Sequence, residues 1–156
     1  MNPVDPQTLA QQLTAFIRAE IPLARAMDLR LHDYDAEHVS FAAPLAPNVN
    51  DKGCAFGGSL VSLMTLTGWA WVELALQQRG EHCDVFVATS TVRYLQPVWG
   101  DFHSEARLAD GAAWAPFFAT LTARGKARIE IACRVPGADG EAAATLHARF
   151  VAKRRG

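Results

Sequence analysis

No charged residue occurs between Lys52 and Glu73. A charge-free run of this length is about what a helix needs to cross a bilayer. The chain must therefore place this segment in lipid or surround it with the rest of itself. Its composition favours the second. It contains Gly53, Gly57, Gly58, Ser59, Ser62, Thr65, Thr67 and Gly68, and its strictly apolar stretches are short. From Ser59 to Gln78, the residues Leu60, Leu63, Met64, Leu66, Trp69, Trp71, Val72, Leu74 and Leu76 surround the helix axis almost completely. A helix that is apolar all round is a core helix. At ~1.5 Å per residue it is about 30 Å long, the width of a small domain. Gly80 suits its exit. A soluble domain is expected, with no membrane partner.

The remaining segments have the pattern needed to cover such a helix. Gln7 to Ala26 reads as an amphipathic helix, with Leu9, Leu13, Phe16 and Ile17 at helical spacing and Pro22 weakening its far end. Residues 1–27 thus form an N-terminal helical segment. Alternation follows. Leu29 and Leu31 alternate with Arg30 and His32, and Val39, Phe41 and Ala43 with His38, Ser40 and Ala42. Beyond the central helix, Val85 to Val98 is rich in β-formers up to Pro97. Phe102, Ser104, Ala106 and Leu108 form one face of a further strand. Trp114, Phe117, Phe118 and Leu121 sit at helical spacing, in a short helix ending near Gly125. Two more strands follow, carrying Ala127 to Val135 and Ala144 to Phe150 on their apolar faces, with a turn at Asp139-Gly140 between them. One-sided alternation indicates an antiparallel sheet with one solvated face. A curved antiparallel sheet wrapped around one long helix buries both, and this is the α+β hotdog fold. The 156 residues, half of them hydrophobic, suit one domain spanning 1–156.

Charge and cysteine usage exclude several function classes. Fifteen Lys and Arg against 16 Asp and Glu give a net charge of -1, which calls for no nucleic-acid partner. Lys153, Arg154 and Arg155 form the one basic cluster, at the C-terminal end. Cys54, Cys83 and Cys133 are odd in number and far apart, with no CxxC, so neither a disulfide framework nor a zinc ribbon is indicated. The five histidines show no metal spacing. The N-terminal residues lack the basic start and apolar run of a signal peptide, so a cytoplasmic location is expected.

The loop entering the central helix reads Asn48-Val49-Asn50-Asp51-Lys52-Gly53-Cys54-Ala55-Phe56-Gly57-Gly58-Ser59-Leu60, and Thr67-Gly68-Trp69-Ala70-Trp71 lies further along the helix. With Val92-Arg93-Tyr94-Leu95-Gln96-Pro97 through Asp101, this resembles the YiiD C-terminal-domain family of thioesterases, over about Leu29 to Lys153. More broadly it is similar to hotdog thioesterases of the phenylacetate-pathway type, whose junction reads Asn, then six residues on His-Gly-Gly, then a helix. The resemblance places that family's Asn on Asn50 and its His-Gly-Gly on Phe56-Gly57-Gly58. Its helix carboxylate, nine positions after the His, falls on Thr65. Phe56 and Thr65 are departures, since neither supplies the imidazole nor the carboxylate of the wider family.

The residues themselves support thioester chemistry at this junction. A thioester carbonyl needs positive potential where its oxygen becomes anionic. Gly57 and Gly58, opening a helix, offer unpaired N–H groups at the positive end of its dipole. Such a donor can lower a barrier by ~3–4 kcal/mol; otherwise the pair serves only a tight turn. Asn50 either orients water or closes its own loop. Asp51, the nearest carboxylate, would gain base strength if half-buried; otherwise it pairs with Lys52. Thr65 either holds a water or bonds back to a helix carbonyl. Ser59 either caps the helix or touches substrate. Trp69 either packs or lines an acyl pocket. Arg93 either pairs structurally or meets a coenzyme A phosphate. Cys54 reads as a small buried hydrophobe, and Glu73 as a rim or dimer contact.

The expected activity is hydrolysis of acyl-CoA or acyl-carrier thioesters by direct water attack. Coenzyme A enters only as part of the substrate, and no separate cofactor or metal is expected. The alternatives are a non-catalytic acyl or acyl-CoA binding module and a hotdog dehydratase, which would need a His where Phe56 stands. The sheet leaves a long strand edge at Val85 to Val98, so a homodimer or dimer of dimers is expected.

Overall fold

The computed structural model describes residues 4–156. The chain opens with α1 (Pro6–Glu20), started by Pro6 and by Asp5, whose carboxylate accepts from the N–H of Thr8 at 3.2 Å. Ala10, Leu13, Thr14 and Ile17 form its buried stripe, while Phe16, expected beside them, is exposed. The helix expected to reach Ala26 breaks at Ile21, whose backbone is extended. Proline disfavours the helical conformation in the residue before it and has no N–H to continue the ladder. A separate short helix, α2 (Pro22–Ala26), follows.

Among the described residues, six strands form one antiparallel sheet in the order β1-β2-β4-β5-β6-β3. They are β1 (Arg30–Tyr34), β2 (Val39–Ala43), β3 (Cys83–Tyr94), β4 (Phe102–Leu108), β5 (Lys126–Pro136) and β6 (Ala142–Arg154). The long helix α3 (Gly57–Gln78) lies against the sheet, and a shorter helix, α4 (Trp114–Arg124), links β4 to β5. This is the hotdog arrangement that the alternation predicts. By length and composition α3 could cross a membrane. Here its apolar side chains are used otherwise, packed on β2 to β6. Leu63, Met64, Leu74 and Leu76 on α3 meet Phe41, Ile131, Leu146 and Phe150 from the strands, all fully buried. Gly68 sets the closeness of that contact. A Cβ there would come within 3.0 Å of the Phe150 ring and 3.1 Å of Cys133 Sγ.

The sheath around α3 is incomplete. Gly58, Ser62, Thr65, Leu66, Trp69 and Glu73 are only partly buried and follow one another at helical spacing. Leu66, expected to be sealed from water, belongs to this stripe. The strand beside it, β3, ends at Tyr94, short of the expected Val98, because Leu95 and Gln96 both donate to the carbonyl of Ala143 and Pro97 follows. Val87, Ser90 and Tyr94 of β3 are exposed, although their partners Phe150, Ala148 and Ala144 on β6 are buried. β3 is therefore an edge strand open on its free side and along much of its inner face.

Candidate active site

A short 3-10 turn, Ala46–Asn48, begins the loop that leads into α3. Asn48 is buried, and its side-chain amide donates to Met27 O at 3.0 Å and Pro44 O at 2.7 Å. Its carbonyl accepts from Phe56 N at 2.7 Å, so Asn48 ties the start of α3 to the end of α2. This role is not visible in the sequence, where an Asn in a Pro-Asn loop looks like ordinary turn chemistry. Asn50 closes the next loop. Its Oδ1 accepts from the N–H of Lys52 at 2.8 Å and of Cys54 at 3.2 Å, and its Nδ2 donates to Cys54 Sγ at 3.2 Å. Cys54 is buried under that contact.

The helix start is built from backbone. Phe56 is the cap residue without any side-chain cap, and its carbonyl accepts from Ser59 N at 2.9 Å and Leu60 N at 3.1 Å. The capping role considered for Ser59 is thus not realised. Among the described residues, the N–H groups of Gly57 and Gly58 donate to nothing. Two aromatic rings flank them. A Cβ on Gly58 would fall 2.4 Å from Phe56 Cε2, so the ring lies across a position that only glycine leaves open. A Cβ on Gly57 would meet the Tyr94 ring at 3.4 Å, and the Tyr94 hydroxyl donates to Gly57 O at 3.4 Å. Phe56, Gly58, Ser59 and Ser62 share a hollow of about 220 Å³ with Leu23 and Met27. The result is a positive helix end with two open donors inside an aromatic and apolar rim.

Thr65 lies on the same face of α3 as Gly58. Seven residues at about 100° each return almost to the starting direction, about 10 Å along the axis. That span is roughly a donor, a carbonyl, an attacking water and a hydroxyl placed end to end. Thr14 and Thr67 bond back to Ala10 O and Leu63 O, at 2.7 Å and 2.6 Å. Thr65 makes no such bond among the described residues, which leaves its half-buried hydroxyl available. Trp69, one turn on, donates from Nε1 to Val85 O at 3.0 Å and so bridges α3 to β3, closing that end of the stripe.

Two predicted site residues are not brought into this constellation as expected. Asp51 was expected to gain base strength from half-burial. Its side chain is instead 80% exposed and pairs with Lys52 at 3.1 Å, because the loop closed by Asn50 turns it outward. Arg93 pairs with Thr145 in the ladder and lies on the outer face of the sheet, away from α3. It lines a shallow hollow of about 300 Å³ with Arg107, Arg134 and His147.

The other titratable groups lie elsewhere. Glu73 shares a pocket of about 430 Å³ with Trp69, Phe16, Phe86 and Arg155, and burial pushes its carboxyl up from the usual range. Burial also pushes the Cys133 thiol upward, leaving it un-ionised. Asp33, Asp35 and His38, in the β1–β2 hairpin, form the one metal-compatible group among the described residues. The His38 ring nitrogens already engage Asp35 at 2.9 Å and Asp33 at 3.3 Å.

The family model described as "Putative thioesterase (yiiD_Cterm)" matches residues 10–154. The chain belongs to the YiiD_C family. Its fold recurs in solved structures. A protein of unknown function from Chlorobaculum tepidum is 25% identical, with a TM-score of 0.91, covering 98% of this chain and 99% of that one. A "putative thioesterase" from Shewanella oneidensis is 28% identical, with a TM-score of 0.83, covering 94% and 99%. A "probable thioesterase" from Pseudomonas aeruginosa, 24% identical with a TM-score of 0.77 over 98% of each chain, shares the fold. Membership of YiiD_C makes this chain a thioesterase-family protein and agrees with the resemblance found at the Asn50 to Gly58 junction.

Proposed function

We propose that the chain hydrolyses acyl thioesters of coenzyme A or of an acyl carrier. The carrying observation is the start of α3, where Gly57 and Gly58 hold two undonated N–H groups between the Phe56 and Tyr94 rings. The thioester carbonyl accepts from these donors, which stabilise the oxyanion as water attacks. Thr65 holds the water on the same helix face, and Ser59 borders the entry. The acyl chain lies along the partly buried stripe toward Trp69. The leaving thiolate needs no proton to depart, because a thiol has a pKa near ~8.5. Asn50 keeps the loop closed rather than touching water. Asp51, exposed and paired with Lys52, does not face the water within one chain, so the proton lost by the attacking water passes to solvent.

The functional unit is a homo-oligomer. The open edge and inner face of β3 carry Phe86, Val87 and Tyr94 in exposed positions, and a second copy pairing along that edge would cover them and enclose the stripe. The expected compartment is the cytoplasm. A second function, non-catalytic acyl-CoA binding, is favoured by one observation. Asp51 is exposed, and Glu73, the half-buried carboxylate on α3, lies beyond Trp69 from the glycines. A panel of acyl-CoAs incubated with the protein separates the two. Thiol release above the uncatalysed rate supports hydrolysis, and saturable binding without release supports the module.

A further inference from the structure

The strand β4 is shorter than its neighbour. Its last pairing with β5 is Leu108 with Ile131, so Lys126 to Ile129 continue with β6 on one side only. The helix α4 and the loop before it run beside that open edge, and a cleft of about 760 Å³ lies between them. Ala109 N donates to Glu130 O at 3.1 Å, which shows that Glu130 turns its backbone toward the cleft side. In an antiparallel strand, alternate residues turn N–H and C=O to the same side. Lys126 and Arg128 therefore present both groups to the cleft, and no backbone bond there satisfies them among the described residues.

Three of the four charged side chains that line the cleft are positive. Arg124, Lys126 and Arg128 line it, all exposed, and none forms an ion pair among the described residues. Lys153 stands directly opposite Lys126 across the β5–β6 ladder. Glu130, at the far end, is held by Arg149 at 2.8 Å and His147 at 2.9 Å. Asp110 precedes the lining residue Gly111 but does not itself line the cleft. The opposite wall is largely apolar, with Ala112, Pro116 and Phe117.

We propose that this cleft docks an extended acidic segment of a partner protein, which adds as a strand to the open edge of β5. Its carboxylates, at alternate positions, face Lys126 and Arg128. Its intervening side chains turn to the opposite face of the sheet. A peptide backbone satisfies both the donors and the acceptors of such an edge, whereas a phosphate satisfies the donors alone. The cleft lies at the far end of the domain from Gly57 and Gly58. The start of β5 pairs with the end of β6, as does the start of β3, which follows the C-terminal end of α3. The 22 residues of α3 place about 33 Å between the two ends. Docking there is independent of the thioester site.

Glu-Val-Glu-Val-Glu-amide carrying fluorescein on its N-terminal amine, followed by anisotropy at low ionic strength, tests this. Saturable binding is expected, with none for the Lys-Val-Lys-Val-Lys counterpart. Lys126→Glu with Arg128→Glu should weaken it at least tenfold at an unchanged circular dichroism spectrum. Methylating the glutamyl backbone nitrogens should abolish it. On the wild-type protein, hydrogen exchange should show the Arg128 amide protected on adding peptide, with Ile129, already in the ladder, unchanged. Absence of saturable binding overturns the proposal. So does equal binding of the N-methylated peptide, which would indicate charge attraction alone, or full displacement by inorganic phosphate at equal concentration, which would indicate a small-anion site.

Discussion

Replacing Gly58 with alanine separates catalysis from stability in a way few substitutions in this chain would. Gly58 has no positive φ, so its backbone accepts alanine. Within a helix, alanine is favoured over glycine by up to ~1 kcal/mol. The obstacle is steric. The new Cβ would fall 2.4 Å from Phe56 Cε2, against an ordinary contact of about 3.5–4 Å. The ring must therefore move by about 1 Å or more. Phe56 is 56% exposed, so it can swing outward at little cost to folding. Melting temperature should stay level or rise. Turnover should fall, because the methyl group and the displaced ring both crowd the N–H groups where the carbonyl must sit. Loss of one oxyanion donor typically costs ~100- to 1,000-fold in kcat. Gly58→Ala keeps the N–H and blocks its approach, so at least about tenfold is expected. Acyl-CoA turnover is followed by thiol release at saturating substrate, alongside thermal unfolding. Adding Phe56→Ala to Gly58→Ala removes the displaced ring but leaves the methyl group, and most of the loss should remain. Turnover of Gly58→Ala within about threefold of wild type would refute the oxyanion site at this helix end.

Thr65→Val should lower kcat by about ten- to a hundredfold, the loss of a hydrogen bond worth ~1–3 kcal/mol, with little change in KM. Asp51→Asn should leave turnover within about threefold; a loss of ~100-fold or more, usual for a general base, would reinstate Asp51 and imply that another chain covers it. Sedimentation at micromolar concentration should show no stable species of 16.9 kDa, and Phe86→Glu on the open β3 edge should release one. Burial raises the Glu73 carboxyl in the folded state, so the protonated form is favoured by folding and ionisation opposes it as pH rises. Glu73→Gln should therefore raise the melting temperature at pH 8, with the gain fading as the pH falls toward about 4, where the wild-type group is protonated in both states.

Periodicity carried most of the fold. The apolar circumference of α3 and the strict alternation of β4, β5 and β6 are local signals, and they appear in the structure within a few residues of where the pattern puts them. The misses are tertiary in origin. Pro22 split the N-terminal helix because its effect on Ile21 outweighs the continuing apolar pattern. Leu66 stays partly open because no strand among the described residues covers that side of α3, and helical periodicity cannot report which face lacks a partner. At the site, the glycine pair and its helix were legible, since both follow from residue type and spacing. Whether Asp51 is buried was not legible, because exposure depends on how the Asn50 loop turns. The ring of Phe56 over Gly58 reads in sequence only as a lost histidine. In the structure it is a wall of the candidate site.

Thiol release from a panel of acyl-CoAs spanning short, medium, long and aromatic acyl groups tests the central claim most directly. At least one member should be hydrolysed well above the uncatalysed rate by the wild-type protein, with Gly58→Ala markedly slower at equal folded concentration. Saturable binding of acyl-CoA with no release above background for any member, from folded protein, would contradict hydrolysis and leave the chain an acyl-CoA binding module.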